Sequence, residues 1–275
     1  PCVSEMRATR RCRTFVGSMS FQRYFATLSY HGADFAGWQV QPGQNTVQGV
    51  LNEAFHRILG ASDGVVGAGR TDTGVHGRNY VAHVDIPDAP EDLEQALFKI
   101  NRMLPPSVVV HALQPVVPNA HARFSCTGRT YWYRLARTKN PFNRDVAWLV
   151  ERPLSKTNLT WAAEQLIGEH DFSAFAKADA DHTTPLCTVH EAYWEFQEEE
   201  WHFRIRANRF LRNMVRALVG TQVELALGRS TQVEFSDLLL GGHRSDAGVS
   251  APAHGLFFNG AEYPTTCYSN GSSER

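Results

Sequence analysis

A chain of 275 residues, 43% of them hydrophobic, is long enough for one large domain or two ordinary ones, each with a full core. Its 27 basic and 28 acidic residues nearly cancel, which excludes attraction to nucleic acid or membrane by bulk charge and leaves any such affinity to local clusters. No apolar run approaches the length of a membrane-spanning helix, and the five scattered cysteines, Cys2, Cys12, Cys126, Cys187 and Cys267, have no C-x-x-C spacing.

Residues up to about Ser18 carry Arg7, Arg10, Arg11 and Arg13 against Glu5 alone. A disordered basic arm over 1–20 is expected; a transit peptide, or residues upstream of a start at Met19, are the alternatives. Alternation over 22–30 predicts a strand. From Thr46 to Leu59 the residues Val47, Val50, Leu51, Ala54, Phe55, Ile58 and Leu59 share one helical face, closed by Gly60. Asn79 to Ile86 alternates again, and Glu91 to Leu104 repeats an apolar face before Pro105 and Pro106 stop the helix. Ser107 to Leu113 reads as a buried strand. Arg129 to Ala136 reads as a strand with Tyr131, Tyr133 and Leu135 on one face. The second half predicts a strand near Val146–Val150, a helix over about Leu159–Ile167 and a hairpin of Val189–Gln197 with Trp201–Ala207. The longest helix follows over Phe210–Leu227, then a short helix near Phe235–Leu240 and a last strand at Leu256–Asn259. Asp179–Pro185 is polar and turn-rich and is expected to be a mobile loop, and the tail from Thr265 is expected to be disordered. Strands flanking helices in both halves predict an α+β fold of two related subdomains whose mainly antiparallel sheets join into one central sheet flanked by helices. The expected boundaries are 21–125 for the unit carrying Asp72, 126–264 for the unit completing the site, and 265–275 for the tail.

Gly67-Ala68-Gly69-Arg70-Thr71-Asp72-Thr73-Gly74-Val75-His76-Gly77 sets one carboxylate inside a glycine-rich turn, with an arginine two residues ahead. Such a backbone lets a large flat ligand come close to the main chain. The bland alternative is a tight turn between strands with an exposed aspartate. As a dinucleotide loop the segment fails, because the third glycine of G-x-G-x-x-G falls at Asp72. Two runs then combine arginines with aromatic rings and contain no acid. The first holds Arg123, Arg129, Arg134, Arg137, Lys139 and Arg144 with Phe124, Tyr131, Trp132 and Tyr133. The second holds Arg204, Arg206, Arg209, Arg212 and Arg216 with Trp201, Phe203 and Phe210. Positive charge for phosphates and flat rings for bases compose an RNA-contacting face, although solvated arginines on ordinary element faces would look the same. No metal is expected, since the histidines make no H-E-x-x-H pair.

These residues together resemble the tRNA pseudouridine synthases of the TruA type, over about Tyr24 to Phe258. The resemblance rests on Gly69–His76, on Gly37-Trp38-Gln39 with Gln41 and Val47-Gln48, and on His121–Ser125 with Arg129, Tyr131 and Tyr133. It extends through Leu166–Phe172, Asn208–Gly220, and Ala251-Pro252-Ala253 with Gly255-Leu256. It implies the pseudouridine synthase fold and the isomerisation of uridine to pseudouridine in the anticodon stem-loop of tRNA, at positions 38–40. The agent would be a homodimer that needs no cofactor or metal, bound to no membrane and acting in the cytoplasm. Asp72 takes the place of the catalytic aspartate, Tyr131 of a base-stacking tyrosine, and Arg216 of the arginine that pairs with the aspartate. Arg70 takes the place of the arginine that helps displace the target base, and Leu256 falls near the apolar wall. Phe210, Arg129, Arg123 and Arg212 are expected to contact RNA. The chain departs from the family at His31, where an acid is usual, at Phe35, where tyrosine is frequent, and at Thr183-Thr184-Pro185, which lacks an arginine.

The chemistry suits this inventory. The N1–C1' bond must break, the uracil must turn and C5 must join C1', with no net hydrolysis or redox change, so one carboxylate suffices. Attack on the base, attack on the sugar and elimination from the sugar all stay open. A cation within ~4 to 6 Å favours the ionised form of a carboxylate in a closing pocket, and Arg216, on a largely apolar helix, would be costly without a partner. Two other readings compete. A non-catalytic RNA-binding module would have no use for Asp72 paired with Arg216, and a glycosidase would require a second acid, for which Asp34 is the candidate. His76 reads as a hydrogen-bonded loop histidine rather than an acid–base group.

Overall fold

Alternating burial draws the first strand: in β1 (Gln22–Tyr30) the side chains of Tyr24, Ala26, Leu28 and Tyr30 enter the core. The structure is a computed structural model and describes residues 21–177 and 184–269. β1 pairs antiparallel with β3 (His76–Ile86) on one side and β4 (Val108–Pro115) on the other. Two-residue β2 (Val66–Gly67) adds to β3 and leads into the glycine loop. β4 was expected to be buried and is instead the sheet edge, with Val108, Val110 and Leu113 covered and Val109, His111 and Ala112 exposed. Only one of its faces meets helix α2 (Leu93–Met103), whose Asn101 side chain brackets the Val110 backbone with two hydrogen bonds of 2.8 Å.

Helix α1 (Val47–Leu59) begins where the Thr46 hydroxyl accepts from the Gly49 amide and ends at Gly60, left-handed at φ 67°. α2 begins at the Asp92 cap and stops before Pro105. In the second half β5 (Gly128–Ala136) carries Tyr131, Tyr133 and Leu135 into the core, with β6 (Trp148–Leu149) parallel to its end. α3 (Lys156–Gln165), β7 (Gly168–Asp171), β8 (Leu186–Phe196), β9 (Glu200–Ala207), α4 (Met214–Ala226), α5 (Gln232–Leu239) and β10 (Leu256–Glu262) follow. β9 starts a residue earlier than predicted, since Arg134, Asn143 and His202 all hydrogen-bond the Glu200 carboxylate. α4 starts at Met214 rather than Phe210, because Asn213 adopts φ 68° and residues 208–213 are irregular, closing in a turn at Arg212 and Asn213. At 13 residues it equals α1 and is not the single longest helix.

Among the described residues the strands form one ten-stranded sheet in the order β4-β1-β3-β10-β5-β9-β8-β7, with β2 beside β3 and β6 beside β5. β10 is the seam: it runs parallel to β3 through Phe257 and Phe258, and antiparallel to β5 through Leu256 opposite Tyr133. The last of the described strands thus joins the two halves. Helices pack on one face over a continuous core that includes Phe55, Tyr80, Tyr133, Phe203 and Phe258. A smaller cluster of Phe25, Val116, Ala120, Ala122 and Cys267 lies apart from it. That cluster corrects the expected disorder for residues 265–269 alone. Thr265–Cys267 forms a short 3-10 turn, Cys267 is buried, and Tyr268 pairs with Val116 as a single bridge. Burial of Cys267 and the contacts of Tyr263 and Tyr268 with the Phe25 ring hold this stretch through Ser269. The expected arm at 1–20, residues 270–275 and most of the Asp179–Pro185 loop lie outside the described residues. Among the described residues, no helix is long and apolar enough to cross a membrane.

Candidate active site

The glycine loop runs from β2 to β3 and is braced on its inner side by aromatic side chains. The Tyr30 hydroxyl bonds the Thr71 hydroxyl at 2.8 Å, Tyr80 donates to the Gly69 carbonyl, and the Trp38 amide donates to the Thr71 carbonyl at 3.1 Å. Trp38 stacks on Tyr80 with ring centroids 4.2 Å apart. Gly37 permits this contact: it sits at φ 95°, and a Cβ there would fall 2.7 Å from the Thr71 carbonyl oxygen. The loop closes on itself where the Val75 amide donates to the Asp72 carbonyl at 3.1 Å. Asp72 is left with its side chain 35% exposed and directed at two arginines of the other half.

Arg216 Nη1 lies 3.7 Å from Asp72 Oδ2, and Arg212 Nε lies 4.0 Å from Asp72 Oδ1. The Arg216 side chain is 23% exposed, so the pair is partly withdrawn from solvent, whereas Arg212, at 59%, stands at the mouth. Arg216 is aimed by Ala251: its Nε donates to the Ala251 carbonyl at 2.8 Å, and the Ala251 amide donates to the Arg216 carbonyl at 2.9 Å. The turn that carries Arg212 is held by Asn213, whose side-chain amide donates to Ser250 Oγ at 2.7 Å, while Arg244 donates to the same oxygen at 3.0 Å.

Tyr131 stands on β5, near enough to Asp72 for the carboxylate's charge to act on its hydroxyl. It is buried, with Phe210 and Phe258 edge-on at centroid distances of 5.0 and 5.2 Å. Burial pushes its hydroxyl well above the ordinary tyrosine value; Arg129 opposes this and the charge of Asp72 adds to it. The ring is therefore neutral, suited to stacking and hydrogen bonding rather than to taking a proton. Leu256 is buried at the start of β10, in the same core as Tyr131 and Tyr133. Arg70 is exposed, and no hydrogen bond or ion pair engages its side chain among the described residues.

Not every predicted residue joins this cluster in the expected way. Arg123 is exposed beside Phe124, which is 76% exposed, its guanidinium 5.5 Å from the ring centroid. Arg129 was expected to meet RNA, but its guanidinium is engaged by three backbone carbonyls: those of Ala68, Asn208 and Arg123. Asp34, the candidate second acid, is exposed on a 3-10 turn, where its backbone carbonyl accepts from Asn45. His76 was expected in the loop and is instead the buried first residue of β3: its Nδ1 accepts from the Gly32 amide at 3.0 Å, which leaves the proton on Nε2, 3.0 Å from the His254 carbonyl. Sequence reasoning missed the bracing roles of Tyr30 and Tyr80 and the link from Arg244 through Ser250 to Asn213, since each joins residues far apart in the chain. No group of three or more histidine, cysteine or acidic side chains able to hold a metal ion occurs among the described residues. A cavity of about 560 Å³ lies elsewhere, between α4, α5 and residues 242–248, and no residue named for the site lines it.

A family model described as tRNA pseudouridine synthase matches residues 162–264. The tRNA pseudouridine synthase A of Bacteroides fragilis is 41% identical over 247 residues, 90% of this chain and 98% of that one. Its counterpart in Bacteroides thetaiotaomicron is 42% identical over 90% of this chain and 93% of its own, and that of Rhodospirillum centenum is 38% identical over 88% and 100%. Among solved structures, the crystal structure of a Cbf5-Nop10-Gar1 complex gives a TM-score of 0.33 at 10% identity, covering 85% of this chain and 57% of that chain, too slight a likeness to bear on the site. Similarity at this level over about nine-tenths of the chain makes the protein an isomerase of the pseudouridine synthase class. Within that class, the chain belongs to the tRNA pseudouridine synthase A family.

Proposed function

We propose that the protein converts uridine to pseudouridine in the anticodon stem-loop of tRNA, with Asp72 as the catalytic carboxylate. The observation that carries this reading is the position of Asp72 between Arg216 and Arg212. In the overall change the N1–C1' bond breaks, C5 bonds to C1', the C5 proton is lost to solvent and N1 takes one up. Arg216 holds the Asp72 carboxylate in place, Tyr131 supplies the ring on which the extruded base rests, and Leu256 and Phe210 wall it. Arg70, exposed and two residues from Asp72, takes the place of the displaced base. Unpairing and unstacking a nucleotide costs a few kcal/mol. Phosphate contacts from Arg123 and Arg212 and stacking on aromatic rings, worth roughly 1 to 3 kcal/mol per base, offset that cost.

The division at 125/126 puts Asp72 on the first unit and Arg216 on the second, so the site assembles only when both halves share the sheet. We further propose a homodimer, as the resemblance implies, and action in the cytoplasm, in keeping with the free thiols of Cys126, Cys187 and Cys267. The test is tritium release from C5-labelled anticodon stem-loop RNA. Asp72→Asn should abolish release while tRNA affinity stays within a few fold of wild type; substantial turnover by the variant would defeat the assignment.

A further inference from the structure

Arg129 stands on β5 among arginines whose clustering suggests phosphate contacts, yet its donors face inward. Nε and Nη2 donate to the Ala68 carbonyl at 3.1 and 3.0 Å, Nη2 donates also to the Arg123 carbonyl at 2.8 Å, and Nη1 donates to the Asn208 carbonyl at 3.1 Å. Those four bonds use most of the N–H groups a guanidinium possesses. The three carbonyls belong to separate stretches of chain. Ala68 opens the loop that ends in Asp72. Asn208 opens the turn that carries Phe210 and Arg212 into α4. Arg123 sits with Phe124 on the exposed segment that precedes β5.

We propose that Arg129 is a positioning residue: it locks the catalytic loop, the arginine-bearing turn and the exposed Arg123–Phe124 segment into one frame, and so governs turnover rather than RNA affinity. Three carbonyl oxygens converging on one site repel each other without a cation between them, and only a planar fork reaches all three. A lysine ammonium is a point charge on a flexible stem and cannot reproduce the geometry. The same guanidinium ties the Arg123–Phe124 segment to Ala68, so RNA seated on that segment bears on the loop holding Asp72. The inference rests on Asp72 being the catalytic carboxylate, because its consequence is a displaced Asp72.

Arg129→Lys and Arg129→Ala, with Asp72→Asn alongside, separate the possibilities in the full-length protein. The measurements are steady-state tritium release, tRNA binding across a salt series, and thermal melting. A catalytic group displaced by about 1 Å loses on the order of 10²-fold in rate, so kcat should fall by that factor in both variants while KM and tRNA affinity change by a few fold at most. The slope of log affinity against log salt should stay at the wild-type value, and added guanidinium should restore part of kcat to Arg129→Ala and none to Asp72→Asn. A phosphate ligand behaves in the opposite way: weaker binding, a salt slope lower by about one, and retained kcat would overturn the proposal. A lowered melting temperature with wild-type kcat in the folded enzyme would also overturn it, by reducing Arg129 to a structural brace. Should Arg129→Ala not fold, Arg129→Lys alone decides, and full kcat in it defeats the proposal. Turnover by Asp72→Asn would instead sink the functional reading, so the two failures are distinguishable.

Discussion

Arg216 gives Asp72 one terminal nitrogen while its Nε is committed to the Ala251 carbonyl, so the guanidinium is aimed before any substrate arrives. Preorganised charge of this kind contributes more than charge recruited during reaction, and removing one such group costs roughly 10² to 10³ in kcat. Arg216→Met should therefore lower kcat by about that factor in the tritium assay. A variant within a few fold of wild type would remove the role assigned to the pair. Two other residues make pH-dependent contributions to stability. Burial first, then the neighbouring His31, lowers the pKa of His76 to about 4, and burial first, then Arg23 and His121, lowers that of His83 to about 4. Unfolding returns both to about 6.5, so between these values the unfolded chain binds more protons than the folded one. Their stabilisation is complete above about 6.5 and is lost as pH falls toward 4. The melting temperature should drop between pH 7 and pH 5, and a flat profile there would contradict this. Asp72 was legible in sequence from its glycine-rich surroundings, and Arg216 from its apolar helix. Arg129 was legible only as positive charge, because its carbonyl partners belong to the backbone and leave no trace in residue identity.

At the scale of elements, local rules placed most boundaries within a residue or two. Thr46 and Gly60 bracket α1 as cap and left-handed terminus, and Pro105 ends α2. α5 starts three residues before its predicted position, at a capping box in which Thr231 and Glu234 each bond the other's backbone amide; the T-x-x-E pattern was present to be read. Thr231→Ala should cost about 1 kcal/mol of stability, read as a lower melting temperature, with kcat unchanged, because the cap lies outside the site. Gly37→Ala should behave differently. It strains a backbone at φ 95° and drives a Cβ against the Thr71 carbonyl, at a cost of roughly 1 to 3 kcal/mol, and it shifts the loop that holds Asp72. Here kcat should fall along with stability; loss of stability alone would mean that the loop tolerates the displacement.

At the scale of the molecule, the described strands form one sheet whose seam, β10, lies between its two halves. With near-zero net charge, RNA binding has to depend on local arginines, and phosphate neutralisation releases counterions. Affinity for tRNA should therefore fall steeply as salt rises, and a flat response would remove the phosphate role given to Arg123 and Arg212. Sedimentation of the full-length chain should report a dimer at micromolar concentration; a monomer that retains full turnover would refute the proposed assembly.

What the sequence determined by itself was whatever is carried by neighbours along the chain: apolar periods of helix and strand, caps, and a lone carboxylate among glycines. The tertiary structure decided that β4 is an edge, that Cys267 and Tyr268 pack in the small cluster around Phe25, that α4 begins after a left-handed Asn213, and that Arg129 faces inward. Each of these depends on groups brought together from distant parts of the chain, Phe25 with Tyr268 or Ala68 with Arg129. The free energy of such contacts comes from burial and hydrogen bonding in the assembled fold, and no local pattern encodes it.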